Sequence, residues 1–254
     1  VKAWRLYLNV GNSSAQMGLW SGDRWLCILR EPAGSPLTAL WSLAEDLRLD
    51  PAALESVAAC LSTANYTLWE AAAEAILGRS LQIMGRDFRA EVATRYHDPR
   101  QLGQDRVANI VAARAAGYAP CLILDAGTCL TADLLNARGV HLGGAIAPGL
   151  PAALEGVLAM APHLAAAAPD LPLETIPTEP ARDTTLNLAL GLAACLTGTA
   201  QALVDRLGQM TEPPAQVILT GGDAALLAES LTGPARVETD LTLEGLRAAY
   251  EAGS

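Results

Sequence analysis

The residues with types and spacing suited to chemistry gather first in one short stretch. Leu102-Gly103-Gln104-Asp105-Arg106-Val107-Ala108-Asn109 follows closely on Tyr96-His97-Asp98-Pro99. It sets a carboxylate beside a guanidinium in a glycine-loosened loop that opens into a helix. An acid next to a fixed cation stays ionised, so Asp105 could accept a proton from a hydroxyl, or bind a metal, while Arg106 holds an anion. Asp and Arg also begin and solvate ordinary helices, so the pair gains meaning only from its setting. Three glycine turns, each after an apolar strand, supply one: Gly11-Asn12-Ser13, Gly127-Thr128 and Gly221-Gly222. Glycine there lets backbone N–H groups approach a phosphate, and neighbouring hydroxyls and amides add donors. Together the turns suggest a nucleotide clasped between lobes. Neither GxxxxGK[ST] nor GxGxxG occurs, so the commoner phosphate cradles are absent.

The elements that must position these residues can be read from hydrophobic periodicity. Arg5 to Val10, Ala15 to Trp20 and Trp25 to Leu29 read as strands, with a hairpin turn at Ser21-Gly22-Asp23. Thr38 to Leu47 and Leu68 to Leu77 have helical spacing, and Ser56 to Leu61 and Leu81 to Met84 read as strands. This βββαβαβ order implies a mixed sheet with helices on its faces. After the loop, Val107 to Ala116 is a helix, and then the opening pattern returns: strand Cys121 to Leu124, turn Asp125-Ala126-Gly127-Thr128, strand Leu130 to Leu135, and a third strand from Val140 to Gly143-Gly144. Asn9-Val10-Gly11-Asn12 and Asp125-Ala126-Gly127-Thr128 thus occupy equivalent places, and such self-similarity implies two related lobes, residues 1–117 and 118–254. In the second half, Leu150 to Met160 is a helix, and the prolines between Ala161 and Asp183 imply a semi-rigid extended loop. A long apolar helix follows from about Thr184, then strand Gln216 to Leu219, helix Ala224 to Leu231 and helix Leu243 to Ala252.

Composition narrows the function classes. A formal net charge of −10 argues against non-specific nucleic-acid binding. It does not argue against ATP, whose phosphates are held by local donors and a metal. The five cysteines show no CxxC spacing and mostly sit in apolar runs, which reads as buried free thiols in a reducing compartment. His97, His141 and His163 are scattered, with no metal cluster or Ser/His/Asp signature. The apolar start is interrupted by Lys2 and Arg5, so it reads as a strand and not as a secretory signal. Thr185 to Val204 carries no charge and could cross a bilayer, but Asn187, Thr197, Thr199 and Gln201 favour a buried helix. No membrane and a cytoplasmic location are the expectation.

The ordered set Tyr96-x-Asp-Pro, Gly103-x-Asp-Arg-x-Ala-Asn, Asp125-Ala-Gly-Thr, Gly143-Gly-x-Ile-x-Pro-Gly149, Thr184 before Gly191, and Thr220-Gly-Gly-Asp resembles the type III pantothenate kinases of the actin-like and sugar-kinase-like ATPase superfamily. The matches run nearly end to end. The resemblance implies an α/β fold of two related ribonuclease H-like lobes, each a mixed sheet flanked by helices. It implies ATP-dependent phosphorylation of the primary hydroxyl of pantothenate to 4'-phosphopantothenate, the first step towards coenzyme A. Asp105 would be the proton acceptor; Tyr96, Gly103, Gln104, Asp105, Arg106 and Thr184 would hold pantothenate. Asn9, Val10, Gly11, Asn12, Ser13, Ser14, Ala15, Gln16 and Thr128 would contact ATP. Asp125 would bind a monovalent cation, K⁺ or NH₄⁺, Mg²⁺ would accompany the nucleotide, and the chain would form a homodimer. One departure matters: the family opens its first hairpin with Asp, and this chain has Asn9. Asn keeps the shape and an acceptor oxygen but removes the charge that Mg²⁺ prefers, which implies weak or absent activity, or unusual metal dependence. Asn187 is a smaller departure. Because of Asn9, a non-catalytic pantothenate- or nucleotide-binding regulatory protein on the same fold stands as the alternative; a kinase for another small hydroxy compound fits the phosphate turns but not the Tyr96 and Gly103–Arg106 set.

Overall fold

The structure is a computed structural model and describes residues 4–46, 48–169, 171 and 179–253. Chain contacts divide it into two units: residues 1–92, 97–117 and 241–254 form the first, and residues 93–96 and 118–240 the second.

In the first unit, strands β1 (Trp4–Val10), β2 (Ser14–Trp20), β3 (Trp25–Pro32), β4 (Leu54–Leu61) and β5 (Gln82–Ile83) form one sheet in the order β3-β2-β1-β4-β5. The first three are joined antiparallel by hairpins, and β4 and β5 are added parallel. Alternation along β1 sends Leu6, Leu8 and Val10 into one core together with Val57, Ala59 and Leu61 of β4. Helices α1 (Pro36–Asp46) and α2 (Tyr66–Leu77) cover that face with Leu40, Leu43, Trp69 and Leu77. Burying each such side chain stabilises the unit by about 1.5–3 kcal/mol, and the Trp69 indole N–H donates to the Ala33 carbonyl at 3.0 Å. The alternate positions Tyr7, Asn9, Ala58 and Cys60 therefore point to the opposite face, where α3 (Gln104–Ala115) and α7 (Leu241–Ala252) pack.

The second unit repeats the plan. Strands β6 (Cys121–Ala126), β7 (Cys129–Leu135), β8 (His141–Pro148), β9 (Gln216–Thr220) and β10 (Ala235–Val237) are ordered β10-β9-β6-β7-β8, the same topology with β6 in the place of β1. Leu122, Leu124 and Ala126 point into a core shared with α4 (Leu150–Met160), α5 (Thr184–Leu207) and α6 (Ala224–Ser230).

Four features differ from the sequence reading. Helix α7 groups with the first unit, whereas the reading assigned everything after 117 to the second lobe. The reason is close packing: α7 crosses α3 where Gly245 faces Ala108, and a Cβ at 245 would overlap the Ala108 carbonyl. The Thr242 hydroxyl also donates to Asn109 Oδ1 at 2.7 Å in the buried seam. Helix α5 is not a buried helix: Ala189, Leu192, Ala193, Leu196 and Ala200 are buried, while Asn187, Gly191, Ala194, Gly198 and Ala202 are exposed. It remains long and apolar enough to cross a membrane by length and composition. Pro162–Ala167, inside the expected extended loop, forms a 3-10 helix, and residues 170 and 172–178 lie outside the described residues. The thiols are free, but only Cys60 and Cys121 are buried; Cys129 and Cys195 are exposed. Burial pushes the Cys121 thiol up to about 12.

Candidate active site

Gly103 caps the start of α3, so Gln104, Asp105 and Arg106 lie in the helix's first turn and not in the preceding loop. An acidic residue there is favoured by the unpaired N–H groups and the helix dipole. Asp105 is exposed, and its Oδ1 accepts the Arg106 backbone N–H at 2.8 Å. The Arg106 side chain is buried, at 4% exposure. The two residues meet through a backbone amide, with Asp105 exposed and Arg106 buried. Gly103 makes room for this arrangement. A Cβ at 103 would stand 2.6 Å from Asp105 Oδ1, so any side chain there would displace the carboxylate.

Asp105 and the first hairpin lie at the same end of one sheet face. The Asp105 charge reaches the Cys60 thiol, which burial and then that charge raise well above its ordinary value. Cys60 is the parallel partner of Asn9, and Asn9 is the antiparallel partner of Gln16. Val10 and Ala15 form the next pair, and Gly11, Asn12, Ser13 and Ser14 make the exposed turn. That turn is braced from the strand-to-helix connection after β4. The Asn65 amide donates to the Gly11 carbonyl at 2.7 Å, and the Ser62 N–H donates to the Val10 carbonyl at 2.8 Å. Ser62 and Asn65 escaped the sequence reading; a Ser-x-x-Asn at a strand end is too common a turn signal to single out.

In the second unit, Asp125 stands one residue before the end of β6, between two threonines. Thr131 of β7 is its antiparallel partner and Thr220 of β9 its parallel partner. Both hydroxyls are buried without a hydrogen-bond partner among the described residues. Gly221, at φ +89°, presses on this row: a Cβ there would lie 2.6 Å from Asp125 Oδ1. The Asp223 N–H donates to the Ala126 carbonyl at 3.1 Å, and burial pushes the Asp223 carboxyl up. Thr128 sits in the β6–β7 turn, where its carbonyl accepts the Gly149 N–H at 3.1 Å. Thus the second and third glycine turns, expected separately, are packed together. Thr131 was missed, and Thr220 entered only as part of a glycine motif, because their shared place beside Asp125 depends on strand register, which single strands do not declare.

Thr184 is exposed in the first turn of α5, next to Asp183, whose side chain caps the helix by accepting the Leu186 N–H at 2.8 Å. Tyr96 belongs to the second unit, while Gly103 to Arg106 and residues 9–16 belong to the first. Among the described residues, no group of three or more His, Cys, Asp or Glu side chains could hold a metal.

Two sheets of like topology, each carrying a glycine hairpin at the end of its central strand, define a two-lobed ATPase fold of the actin and sugar-kinase class. A solved structure of this class, the activator of 2-hydroxyisocaproyl-CoA dehydratase from Clostridium difficile with bound ADPNP, matches with a TM-score of 0.59 at 11% identity, over 98% of this chain and 95% of its own. The family model for type III pantothenate kinase matches residues 5–206, and the chain belongs to that family. Type III pantothenate kinases from Syntrophotalea carbinolica and Thermomicrobium roseum are each 32% identical to it. The first match covers 96% of this chain and 97% of the relative, the second 97% and 96%.

Proposed function

We propose that this chain transfers the γ-phosphoryl group of ATP to the primary hydroxyl of pantothenate, giving 4'-phosphopantothenate at the entry to coenzyme A biosynthesis. The observation that carries the mechanism is the exposed Asp105 carboxylate, held by a backbone N–H on the first turn of α3. A carboxylate so placed accepts the hydroxyl proton as the oxygen attacks phosphorus, while the rest of catalysis is positioning and charge neutralisation. Tyr96, Gly103, Gln104, Arg106 and Thr184 contact pantothenate. Residues 9–16 and Thr128 contact ATP through the turn donors.

Mg²⁺ accompanies the nucleotide. Residues 9–16 contain no carboxylate, so this hairpin offers the metal only neutral oxygens such as that of Asn9. The row at β6 suits a monovalent cation better, because Asp125 brings one negative charge and Thr131 and Thr220 bring two unpartnered hydroxyl oxygens. K⁺ or NH₄⁺ held there would balance the Asp125 charge beside the second and third glycine turns. The reading includes a homodimer, supported by the exposed small-residue face of α5 and by Ile146 and Met160, which are 65% and 88% exposed. A cytoplasmic location belongs to the same reading.

The test is a coupled ADP-release assay with pantothenate, ATP, Mg²⁺ and K⁺. Pantothenate-dependent turnover is expected, falling by about 10²–10⁴ in Asp105→Asn. A folded protein that releases no ADP in response to pantothenate would overturn the proposal.

A further inference from the structure

Residues 93–96 form a short excursion of the chain into the second unit, between two stretches of the first. Backbone bonds hold it to the edge strand β8: the His141 N–H donates to the Ala93 carbonyl and the Arg95 N–H to the His141 carbonyl, both at 2.9 Å. Those bonds alone would fix the path of Ala93 to Arg95. The side chains add a second set of ties, and these lead to Tyr96.

His141 is fully buried and Asp133 is 1% exposed, with Nε2 standing 2.8 Å from Asp133 Oδ1 in an ion-pair contact. On the other side of the ring, Nδ1 lies 2.9 Å from Thr94 Oγ1, and that oxygen accepts the Tyr96 backbone N–H at 3.1 Å. The Tyr96 ring leans on the imidazole, with centroids 5.3 Å apart and planes at 44°. Thr94 Oγ1 thus holds the imidazole on one side and the Tyr96 backbone on the other, with either the hydroxyl or Nδ1 supplying the proton they share, while the Nε2 edge of the ring lies against the Asp133 carboxylate. The ring reaches this position through a β-bulge: the β7–β8 register shifts between Leu134 and Leu135, with Gly143 at φ +126°. Leu142 then turns into the apolar core while His141 pairs with Leu135, on the face that carries Asp133. A buried carboxylate costs stability unless it is paired, and this one lies against a ring whose other contacts lead to Tyr96.

We propose that Thr94 and His141, anchored by Asp133, are positioning residues that fix the Tyr96 backbone and ring, and thereby set the affinity for pantothenate. This rests on the reading of Tyr96 as a pantothenate contact. The test compares Thr94→Val, which keeps the shape but removes the hydroxyl, with Thr94→Ser, which keeps the hydroxyl, both in the full chain. Loss of one hydrogen bond predicts that Thr94→Val raises the KM for pantothenate about five- to tenfold, with a smaller change in the KM for ATP, and that Thr94→Ser restores it. Hydrogen exchange at the Tyr96 amide should quicken in Thr94→Val and not in Thr94→Ser. Unchanged exchange in Thr94→Val overturns the proposal whatever Tyr96 does. So does a pantothenate KM equal to that of the unsubstituted chain, or KM values for both substrates that rise together with a falling melting temperature. Tyr96→Ala separates the two layers: if it leaves the pantothenate KM unaltered, the reading of Tyr96 itself fails, and the substrate consequence falls with it.

Discussion

Behind the Asp105 carboxylate stands a residue that must have no side chain. Gly103 has ordinary helix-cap dihedrals, φ −56° and ψ 144°, so alanine fits its backbone without strain. What alanine would displace is Asp105 Oδ1. Gly103→Ala should therefore lower kcat by about 10–100-fold, as misplacement of a reacting group by about 1 Å does, with little change in melting temperature. Equal kcat values for the two proteins would remove the steric role given to Gly103. Asn9 tests the first hairpin: Asn9→Asp would supply a charged oxygen where the proposal places Mg²⁺, so the Mg²⁺ concentration giving half-maximal activity should fall. An unchanged Mg²⁺ titration would show that residue 9 does not set the metal requirement. Asp105 was legible from its neighbours because acid, glycine and helix start are all local signals. The burial of Arg106 was not, since sequence adjacency to an exposed acid says nothing about which neighbour a fold covers.

Among the elements, the hairpins and central strands followed the alternation read from the chain, because a sheet with one covered face imposes period two on its strands. Helix α3 begins three residues earlier than its apolar spacing suggests, since Gly103 caps it with no side-chain hydrogen bond to announce the start. Strand β10 went unread because three residues, Ala235–Val237, are too few for any period to show. Apolarity put α5 in the interior, but composition cannot tell a helix buried all round from one with a second apolar face outward. The α3–α7 crossing is the contact that holds the Asp105 helix in place, and it depends on Gly245. In Gly245→Ala the new methyl meets the Ala108 backbone, which no rotamer can relieve. The expected cost is about 1–3 kcal/mol, seen as a drop in melting temperature of about 2–4 °C per kcal/mol. A melting temperature equal to that of the unsubstituted chain would mean that the helices can separate freely at this point.

At the scale of the whole molecule, the exposed face of α5 makes the association state a direct readout. Among the described residues, no atom outside its own helix backbone lies within 4 Å of a Cβ placed at Gly198, so Gly198→Arg should leave the fold intact, with an unchanged circular dichroism spectrum. It should also convert the proposed dimer to a monomer in sedimentation velocity; a dimer that persists would place the interface elsewhere, and an unsubstituted chain that is monomeric would remove the proposal. Internal duplication was legible because both halves open with the same strand–turn–strand unit. The exchange of segments between the halves was not, because the pairing of α7 with α3 is a contact between distant parts of the chain. That exchange has a consequence for how the protein is made. About 120 residues of the second unit leave the ribosome between the end of α3 and the start of α7, on the order of 10 s at ordinary synthesis rates. During that interval the nascent first sheet has one face covered by α1 and α2, while its other face still lacks α7. A released chain truncated after Asp240 should lose β1–β4 to a protease while β6–β9 resist, and equal resistance of both would show that α7 is dispensable to the first unit. The lobe synthesised first is thus the last to be finished, and Asp105 gains its full support only after the second lobe has emerged.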